Sequence, residues 1–122
     1  MSLLFDPIMR GLAQALTLHQ RRHEVLSSNL ANVETPRFRA KELDFSAALD
    51  EAFQVQESGE TADGRRPEVI EDVTAPPRAD GNTVDLDMQM AKLSANGTSY
   101  LALARILGHR IALLRQAIEG SR

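Results

Sequence analysis

The chain has 122 residues, contains neither cysteine nor tryptophan, and carries a formal net charge of −3. The absence of cysteine excludes disulfide bridges and thiolate metal sites, and the mild negative charge argues against nucleic-acid binding through a basic surface. With four phenylalanines and one tyrosine, leucine and alanine must supply most of the core, which favours helices packed on helices.

The sequence indicates neither a membrane span nor a secretory signal peptide. No apolar run reaches the roughly 20 residues that a bilayer-spanning helix needs. Near the N-terminus, Asp6, Pro7 and Arg10 interrupt the apolar residues, whereas a signal peptide has a continuous apolar core. If the protein leaves the cytoplasm, we therefore expect export without a cleaved signal peptide.

The first predicted element is a helix over residues 7–31. Asp6 is a suitable N-cap, and Pro7 fits the first helical position. Steps of three and four residues separate the members of one stripe, which are Met9, Leu12, Leu16, His19, His23, Leu26, Leu30 and Val33. Six of these eight are apolar, and this periodicity is typical of an amphipathic helix.

The middle of the chain is predicted to be largely irregular. Residues 46–55 are expected to form a short helix, and residues 67–74 a short extended piece. Residues 54–82 contain three glycines and three prolines, and carry seven acidic against three basic side chains. Such a segment cannot bury much apolar surface, so we expect it to be loop or mobile.

A second long helix is predicted over residues 85–119, with Asp85 as a cap at its start. A 4-3-4-3 rhythm runs through Leu86, Met90, Leu93, Gly97, Tyr100, Ala104, Leu107, Ile111, Leu114 and Ile118. A stripe sustained over more than four heptads is typical of a coiled-coil seam. Gly97 interrupts the stripe among weak helix formers, which predicts a close helix approach or a bend at that position.

The second helix would be longer than its intramolecular partner. At about 1.5 Å per residue the two helices would measure roughly 38 and 52 Å. The first can cover only part of the second stripe, so the remainder must find other chains. The chain thus divides into residues 1–34, 35–84 and 85–122, forming one domain overall and a mainly α fold.

No constellation of side chains predicts an active site or a cofactor site. His19 and His23 share a helical face at a spacing that can bind zinc, but a third ligand would have to come from the remote His109. Hydrogen bonding at the helix seam is the simpler interpretation. Residues 80–87 lack the ordered ligand positions and closing glutamate of a calcium loop. We therefore predict no catalytic residue, no metal and no cofactor.

The sequence LSSNLANVETPRFRAKELDF, which starts at residue 26, predicts a helix end with a defined exit. Asn29 and Asn32 lie where side-chain amides can bond free carbonyls or the turn backbone. Pro36 disfavours helix at Thr35, so the chain leaves in an extended direction. An ordinary helix terminus and the base of a partly apolar arm are both consistent with these features.

The stretch SNLANVETPRFRAK, residues 28–41, resembles the signature of the flagellar rod and hook proteins. In that family an N-terminal helix ends in an asparagine-rich turn with a threonine-proline-glycine-aromatic sequence. The matching positions are Asn29, Asn32, Thr35, Pro36 and Phe38. The sequence GNTVDLDMQMAKL, residues 81–93, and the stripe beyond it are similar to the family's C-terminal helix. The short middle and the VDLD sequence are most like the proximal rod members.

This resemblance implies a structural role and no enzymatic one. The family's terminal helices pair as an antiparallel, coiled-coil-like hairpin, with an irregular or short β middle segment. The pairs pack into a helical tube around the export channel, in the periplasmic rod that transmits torque. The implied partners are other copies, other rod proteins, and membrane-ring and export-gate proteins, with no nucleic acid and no small-molecule substrate. The implied subunit-packing positions are Leu12, Leu16, Leu26, Leu30, Leu86, Met90, Leu93, Tyr100, Leu107, Ile111, Leu114 and Ile118.

Two points qualify the resemblance. Arg37 stands where the family usually has glycine, and this predicts a type I or extended turn in place of a type II turn with positive φ. Composition alone also allows a soluble helical-hairpin adaptor that binds a partner helix in the cytoplasm. The signature from Asn29 to Phe38 favours the rod subunit.

Overall fold

A computed structural model describes residues 7–58 and 67–120, with the backbone alone for residues 54–58. In chain order the elements are α1 (Pro7–Ala31), β1 (Lys41–Leu43), α2 (Phe45–Ser58), β2 (Val69–Glu71) and α3 (Leu86–Gly120). The central helix is α1, because it packs against α3, α2 and β1. The predicted class is confirmed: a mainly α fold with long N- and C-terminal helices and an irregular or short β middle segment, which contains a two-stranded antiparallel sheet.

Local chemistry sets the limits of both long helices. The Oδ1 atom of Asp85 accepts a hydrogen bond from the Met88 N–H at 3.1 Å, which is the expected bond of an N-cap. The observed limits differ from the predicted ones by at most one residue. The other predicted cap, Asp6, lies outside the described residues. Within the described part of the chain, no helix is long and apolar enough to cross a bilayer.

The two short strands pair antiparallel, with Glu42 opposite Ile70. A bond of 2.9 Å from the Asp72 N–H to the Ala40 carbonyl continues the ladder beyond the strand ends. A two-stranded sheet is marginal by itself. Its stability must therefore come from the packing of β1 on α1.

The prediction of loop or mobile structure over residues 54–82 is wrong in part. Residues 54–58 complete α2, which begins at Phe45 and ends beyond the predicted 46–55. This helix is held against α1 where Gly11 lets the Phe53 ring approach, since a Cβ on Gly11 would lie 2.6 Å from that ring. At the far end of the segment, Asn82 is fully buried. Residues 59–66 lie outside the described part, where the prediction stays a prediction.

The apolar core of the described residues is small. Its members are Met9, Ala15, Leu18, Leu26, Ala40, Leu43, Ala52 and Val84. Several large apolar side chains of α3 are instead exposed, and we call them the apolar face of α3: Leu86, Met90, Tyr100, Leu101, Ile106, Ile111, Leu113 and Ile118. Exposed large apolar side chains concentrated on one helix indicate a binding surface.

Candidate assembly surface and the helix junction that orients it

The most deeply buried contacts of α3 with α1 are polar. Within α3 the buried residues are Gln89 and Asn96, one heptad apart. Asn96 donates from Nδ2 to the His19 carbonyl at 2.8 Å, so its Oδ1 accepts from Nδ1–H of His19 at 2.7 Å. Gln89 accepts from Nδ2 of Asn29 at 3.0 Å. Buried polar pairs of this kind fix the register of paired helices.

The predicted apolar stripe of α3 is covered only in part within the chain, and two polar residues beside it take the most buried positions. Its exposed members are Leu86, Met90, Tyr100, Ile111 and Ile118, and its half-buried members are Leu93, Gly97, Ala104, Leu107 and Leu114. Gln89 and Asn96 take the central contact because they complete the hydrogen bonds of polar groups on α1. Of the packing positions predicted on α1, Leu26 is buried, whereas Leu12, Leu16 and Leu30 are half-buried.

No element of the described chain closes on α3 at Gly97. The helix runs without interruption through this residue, and a Cβ built there would meet no atom within 4 Å. The prediction of a close approach at Gly97 is thus wrong within the chain. The reason is that the closest packing to α1 falls on the neighbouring residue, Asn96.

The C-terminal part of α3 runs past α1. Since Asn96 lies opposite His19, the first residue of α1, twelve positions earlier, lies opposite residue 108 or so. The last dozen residues of α3, about 18 Å, extend beyond that point. At about 100° per residue, the apolar side chains of this half cover roughly 200° of the helix circumference. A helix that is apolar over more than half of its surface needs more than one covering surface.

A buried asparagine closes the junction between the two long helices. Nδ2 of Asn82 lies 2.9 Å from the Asn32 carbonyl, 3.2 Å from that of Val33 and 2.7 Å from that of Thr35. Its Oδ1 accepts from the Val84 N–H at 2.7 Å. The last carbonyls of a helix lack intrahelical partners, so Asn82 acts as a remote C-cap. It also fixes where α3 starts relative to the end of α1.

Asn29 attaches the arm that follows the turn. Its Nδ2 donates to the Lys41 carbonyl at 2.7 Å, and its Oδ1 accepts from the Lys41 N–H at 2.9 Å. The side-chain amide thus pairs with the β1 backbone as a neighbouring strand would. Because the same Nδ2 reaches Gln89, one fully buried side chain joins α1, β1 and α3.

The remaining motif residues shape the turn itself. Nδ2 of Asn32 donates to a carbonyl one helical turn back at 2.8 Å, and its Oδ1 accepts from the Thr35 hydroxyl at 3.1 Å. Pro36 takes the second position of a β-turn closed by the Phe38 N–H on the Thr35 carbonyl at 3.3 Å. Phe38 is half-buried, and its carbonyl accepts from the Thr83 N–H at 3.0 Å. Because these bonds lie within the chain, the motif residues have a structural role in the turn.

The prediction of a type I or extended turn at Arg37 is wrong. This residue holds φ at 64° in the third position of the turn, which is type II geometry. Its N–H donates to the Asp80 carbonyl at 2.9 Å, and its side chain lies against Gly81. Contacts from a distant segment therefore impose a conformation that arginine itself disfavours.

We expect Arg37→Gly to raise the free energy of unfolding by about 1 kcal/mol, because the left-handed conformation costs a residue with a Cβ roughly that much. Urea denaturation measures the change. Arg39→Gly is the control, since φ of Arg39 is not positive, and it should destabilise by about 0.5–1 kcal/mol. Equal losses in both variants would contradict the strained turn.

A charged cluster joins four elements beside this junction. Arg22 of α1 donates two hydrogen bonds to Glu42 of β1, at 2.9 and 3.0 Å. Nζ of Lys92 in α3 lies 3.5 Å from Glu42 and 2.6 Å from Asp72, which follows β2. Burial would raise the pKa of Glu42, but the hydrogen bonds from Arg22 and the Leu43 N–H, with the charges of Arg22 and Lys92, hold that pKa below its ordinary value.

Asp72 makes the stability of the fold depend on pH in the acid range. Burial would raise the pKa of Asp72, but hydrogen bonds from Lys92 and Thr74 outweigh it and lower the pKa from 3.8 to about 2. A depressed carboxyl pKa stabilises the fold above the unfolded-state value, and this contribution is lost as pH falls through the folded value. We expect the free energy of unfolding to fall by about 2 kcal/mol between pH 5 and 2 on this account. Urea titrations should show a shallower pH dependence in Asp72→Asn; an unchanged dependence would exclude Asp72 as the cause.

The residues considered for metal binding do not converge. His19 is buried with Nδ1 bound to Asn96, whereas His23 is exposed. His109 lies thirteen residues beyond Asn96, about 20 Å along α3. Among the described residues, no three histidine or carboxylate side chains are grouped to hold a metal ion.

Comparison with known proteins agrees with the geometry. The family model described as flagella basal body rod protein matches residues 9–39, which cover α1 and its C-terminal turn. The flagellar basal body rod protein FlgB of Aeromonas hydrophila is 30% identical over 98% of this chain and 98% of its own length. FlgB of Cereibacter sphaeroides is 34% identical over 88% and 91%, and FlgB of Yersinia ruckeri 33% identical over 93% and 95%.

The fold is a hairpin of long helices with an asparagine-rich turn and an exposed apolar face, which is typical of a structural subunit. The relatives identify the family to which this subunit belongs. The chain belongs to the flagellar basal body rod protein family, and the relatives that it matches over most of its length are FlgB proteins. Its function is therefore structural, in the rod of the flagellar basal body.

Proposed function

We propose that the chain assembles into the rod through the apolar face of α3, together with the half-buried leucines of both long helices. The observation that supports this proposal is the burial pattern of α3. Its two buried residues, Gln89 and Asn96, are polar, whereas eight of its large apolar side chains are exposed. Leu12, Leu16 and Leu30 on α1, with Leu107 and Leu114 on α3, would complete the subunit contacts.

The energy available from this surface supports the proposal. Burying one large apolar side chain fully contributes about 1.5–3 kcal/mol. The eight residues of the apolar face of α3 are 37–57% exposed, so covering them would contribute roughly 6–12 kcal/mol. This amount is comparable to a typical domain stability of about 5–15 kcal/mol.

The same proposal includes the helical tube that the subunits would form and the place of that tube in the periplasm. Rod subunits would surround an export channel in the periplasm, transmit torque, and contact other rod, membrane-ring and export-gate proteins, after export without a cleaved signal. Family membership supports these assignments. The motif amides of Asn29 and Asn32 serve hydrogen bonds of the fold, which supports a role without catalysis. The rod assignment is favoured over a cytoplasmic adaptor.

Quantitative mass spectrometry of purified basal bodies tests the proposal. We expect the chain at a fixed low ratio to the other rod proteins, and a deletion strain without swimming motility. If the other rod proteins are present and this chain is absent, the rod subunit is excluded and the cytoplasmic adaptor is favoured.

A further inference from the structure

An open groove lies between α1 and α3, midway along their contact. Its volume is about 350 Å³, and its lining is mainly apolar. The lining residues that matter here are His19, Gln20 and His23 of α1, with Gly97, Tyr100 and Leu101 of α3. The absence of any atom within 4 Å of a Cβ on Gly97 shows that the floor of the groove has room for another group.

We propose that the groove receives the C-terminal half of α3 from a second copy of the chain. This inference rests on the proposed function, since it names the partner and the position of one subunit contact. The groove is continuous with the apolar face of α3 through Tyr100 and Leu101, which are 37% and 57% exposed. A helix lying in the groove would cover both.

The C-terminal half of α3 has the pattern that this occupant needs. Spacings of four and seven residues place one apolar line on a single side of the helix: Ala102, Ile106, Leu113 and Ala117. None of these four residues is charged, and the groove lining contains no aspartate, glutamate, lysine or arginine. Docking would therefore bury no charge from the line itself, with Arg110 flanking it between Ile106 and Leu113.

The charges beside the two surfaces are complementary. Glu24 is exposed on α1, one turn beyond Gln20, which lines the groove. Arg105 is exposed on α3 next to Ile106 of the docking line. Opposite charges at a rim favour one orientation of the partner and exclude others.

The geometry of this contact also determines how it propagates. The groove and the docking line are different surfaces of one chain. Each copy can therefore receive α3 of one neighbour in its groove and place its own α3 in the groove of a second neighbour. Such heterologous contacts form open helical assemblies unless the rotation closes them into a ring. Because Gly97 has no side chain, the axis of the docked helix could approach that of α3 to about 8 Å, the short end of the range of interaxial distances.

Two substitutions on adjacent residues test the groove. Gly97→Leu would fill it, whereas Thr98→Leu places the same side chain on the next residue, about 100° away and outside the groove lining. A Cβ on Gly97 meets no atom within 4 Å and Thr98 is exposed, so both variants should fold. We expect Gly97→Leu to lower the amount of chain in purified basal bodies by about tenfold or more, the equivalent of about 1.4 kcal/mol, with Thr98→Leu at the wild-type amount.

The outcomes separate the two proposals. If Gly97→Leu enters basal bodies as wild type does, the groove is not a contact and the inference is overturned, while the rod proposal stands. If wild-type chain is itself missing from basal bodies, the proposed function fails. Equal losses for Gly97→Leu and Thr98→Leu would also overturn the proposal that the groove is a contact.

A photo-crosslinking residue at Leu101 identifies the occupant in assembled basal bodies. Crosslinked peptides from residues 101–120 of a second copy would support the inference. Peptides from another rod protein, or from another part of this chain, would overturn the assignment of the second copy's α3 as the occupant.

Discussion

Replacing Ile111 with aspartate should abolish swimming and leave the stability of the free protein close to that of wild type. Ile111 is 44% exposed on α3, beyond the part of the helix that α1 covers. In the free chain the carboxylate would remain hydrated. Between subunits it would be buried without a partner, at a cost of several kcal/mol, which is enough to prevent assembly.

Ala112→Asp is the matched control for this substitution. Ala112 is the next residue and is exposed, but its side chain points about 100° away, towards the charged side of the helix. It should swim normally in soft agar. Circular dichroism melts should show that both variants fold. Normal swimming of Ile111→Asp would contradict the use of the apolar face of α3, and Leu107→Asp is less decisive because that half-buried residue also packs within the chain.

Asn82→Ala should lower the free energy of unfolding by about 3 kcal/mol. The substitution removes the donor for the carbonyls of Asn32 and Thr35 and the acceptor for the Val84 N–H. The buried Val84 N–H would lose its Asn82 acceptor, at a cost of about 1–3 kcal/mol. The carbonyls of Asn32, Val33 and Thr35 each keep one donor, from the Thr35 N–H, the Arg78 guanidinium and the Phe38 N–H, so each lost bond costs only about 0.5–1.5 kcal/mol.

Urea unfolding followed by circular dichroism measures this loss. Thr98→Ala is the control, since the Thr98 hydroxyl bonds only locally to the Ser94 carbonyl on an exposed part of α3. Its effect should stay within about 0.5 kcal/mol. A similarly small effect of Asn82→Ala would contradict the assignment of Asn82 as the cap that joins the helices.

The junction explains why the apolar face points outwards. Asn82 fixes the start of α3, and the Asn29–Gln89 and His19–Asn96 bonds fix its rotation about its axis. A shift by one residue would rotate the helix by about 100° and bury a different set of side chains. The polar contacts therefore determine which surface each subunit offers to its neighbours.

Elements set by local chemistry could be predicted from the sequence. The limits of α1 and α3 follow from apolar periodicity, Pro7 and the Asp85 cap, and the end of α1 follows from Pro36. These signals act over a few residues, so they do not depend on the rest of the fold.

Features set by contacts distant in sequence could not be predicted in the same way. The sequence does not show that Asn96 and Gln89 take the most buried positions of α3, because their hydrogen-bond partners lie 77 and 60 residues away in the chain. The left-handed Arg37 depends on Asp80. Asn82 was missed as the central cap; the only sequence signal for it is an asparagine between glycine and threonine just before the α3 cap.

The most direct test of the central claim is the reactivity of a cysteine in place of Ile111 towards a maleimide. The natural chain has no cysteine, so the label reports on this position alone. We predict rapid labelling of the free protein and protection in purified basal bodies, with labelling restored when the basal bodies are dissolved in urea. Equal labelling in the free and assembled states would show that neighbouring subunits do not cover the apolar face of α3.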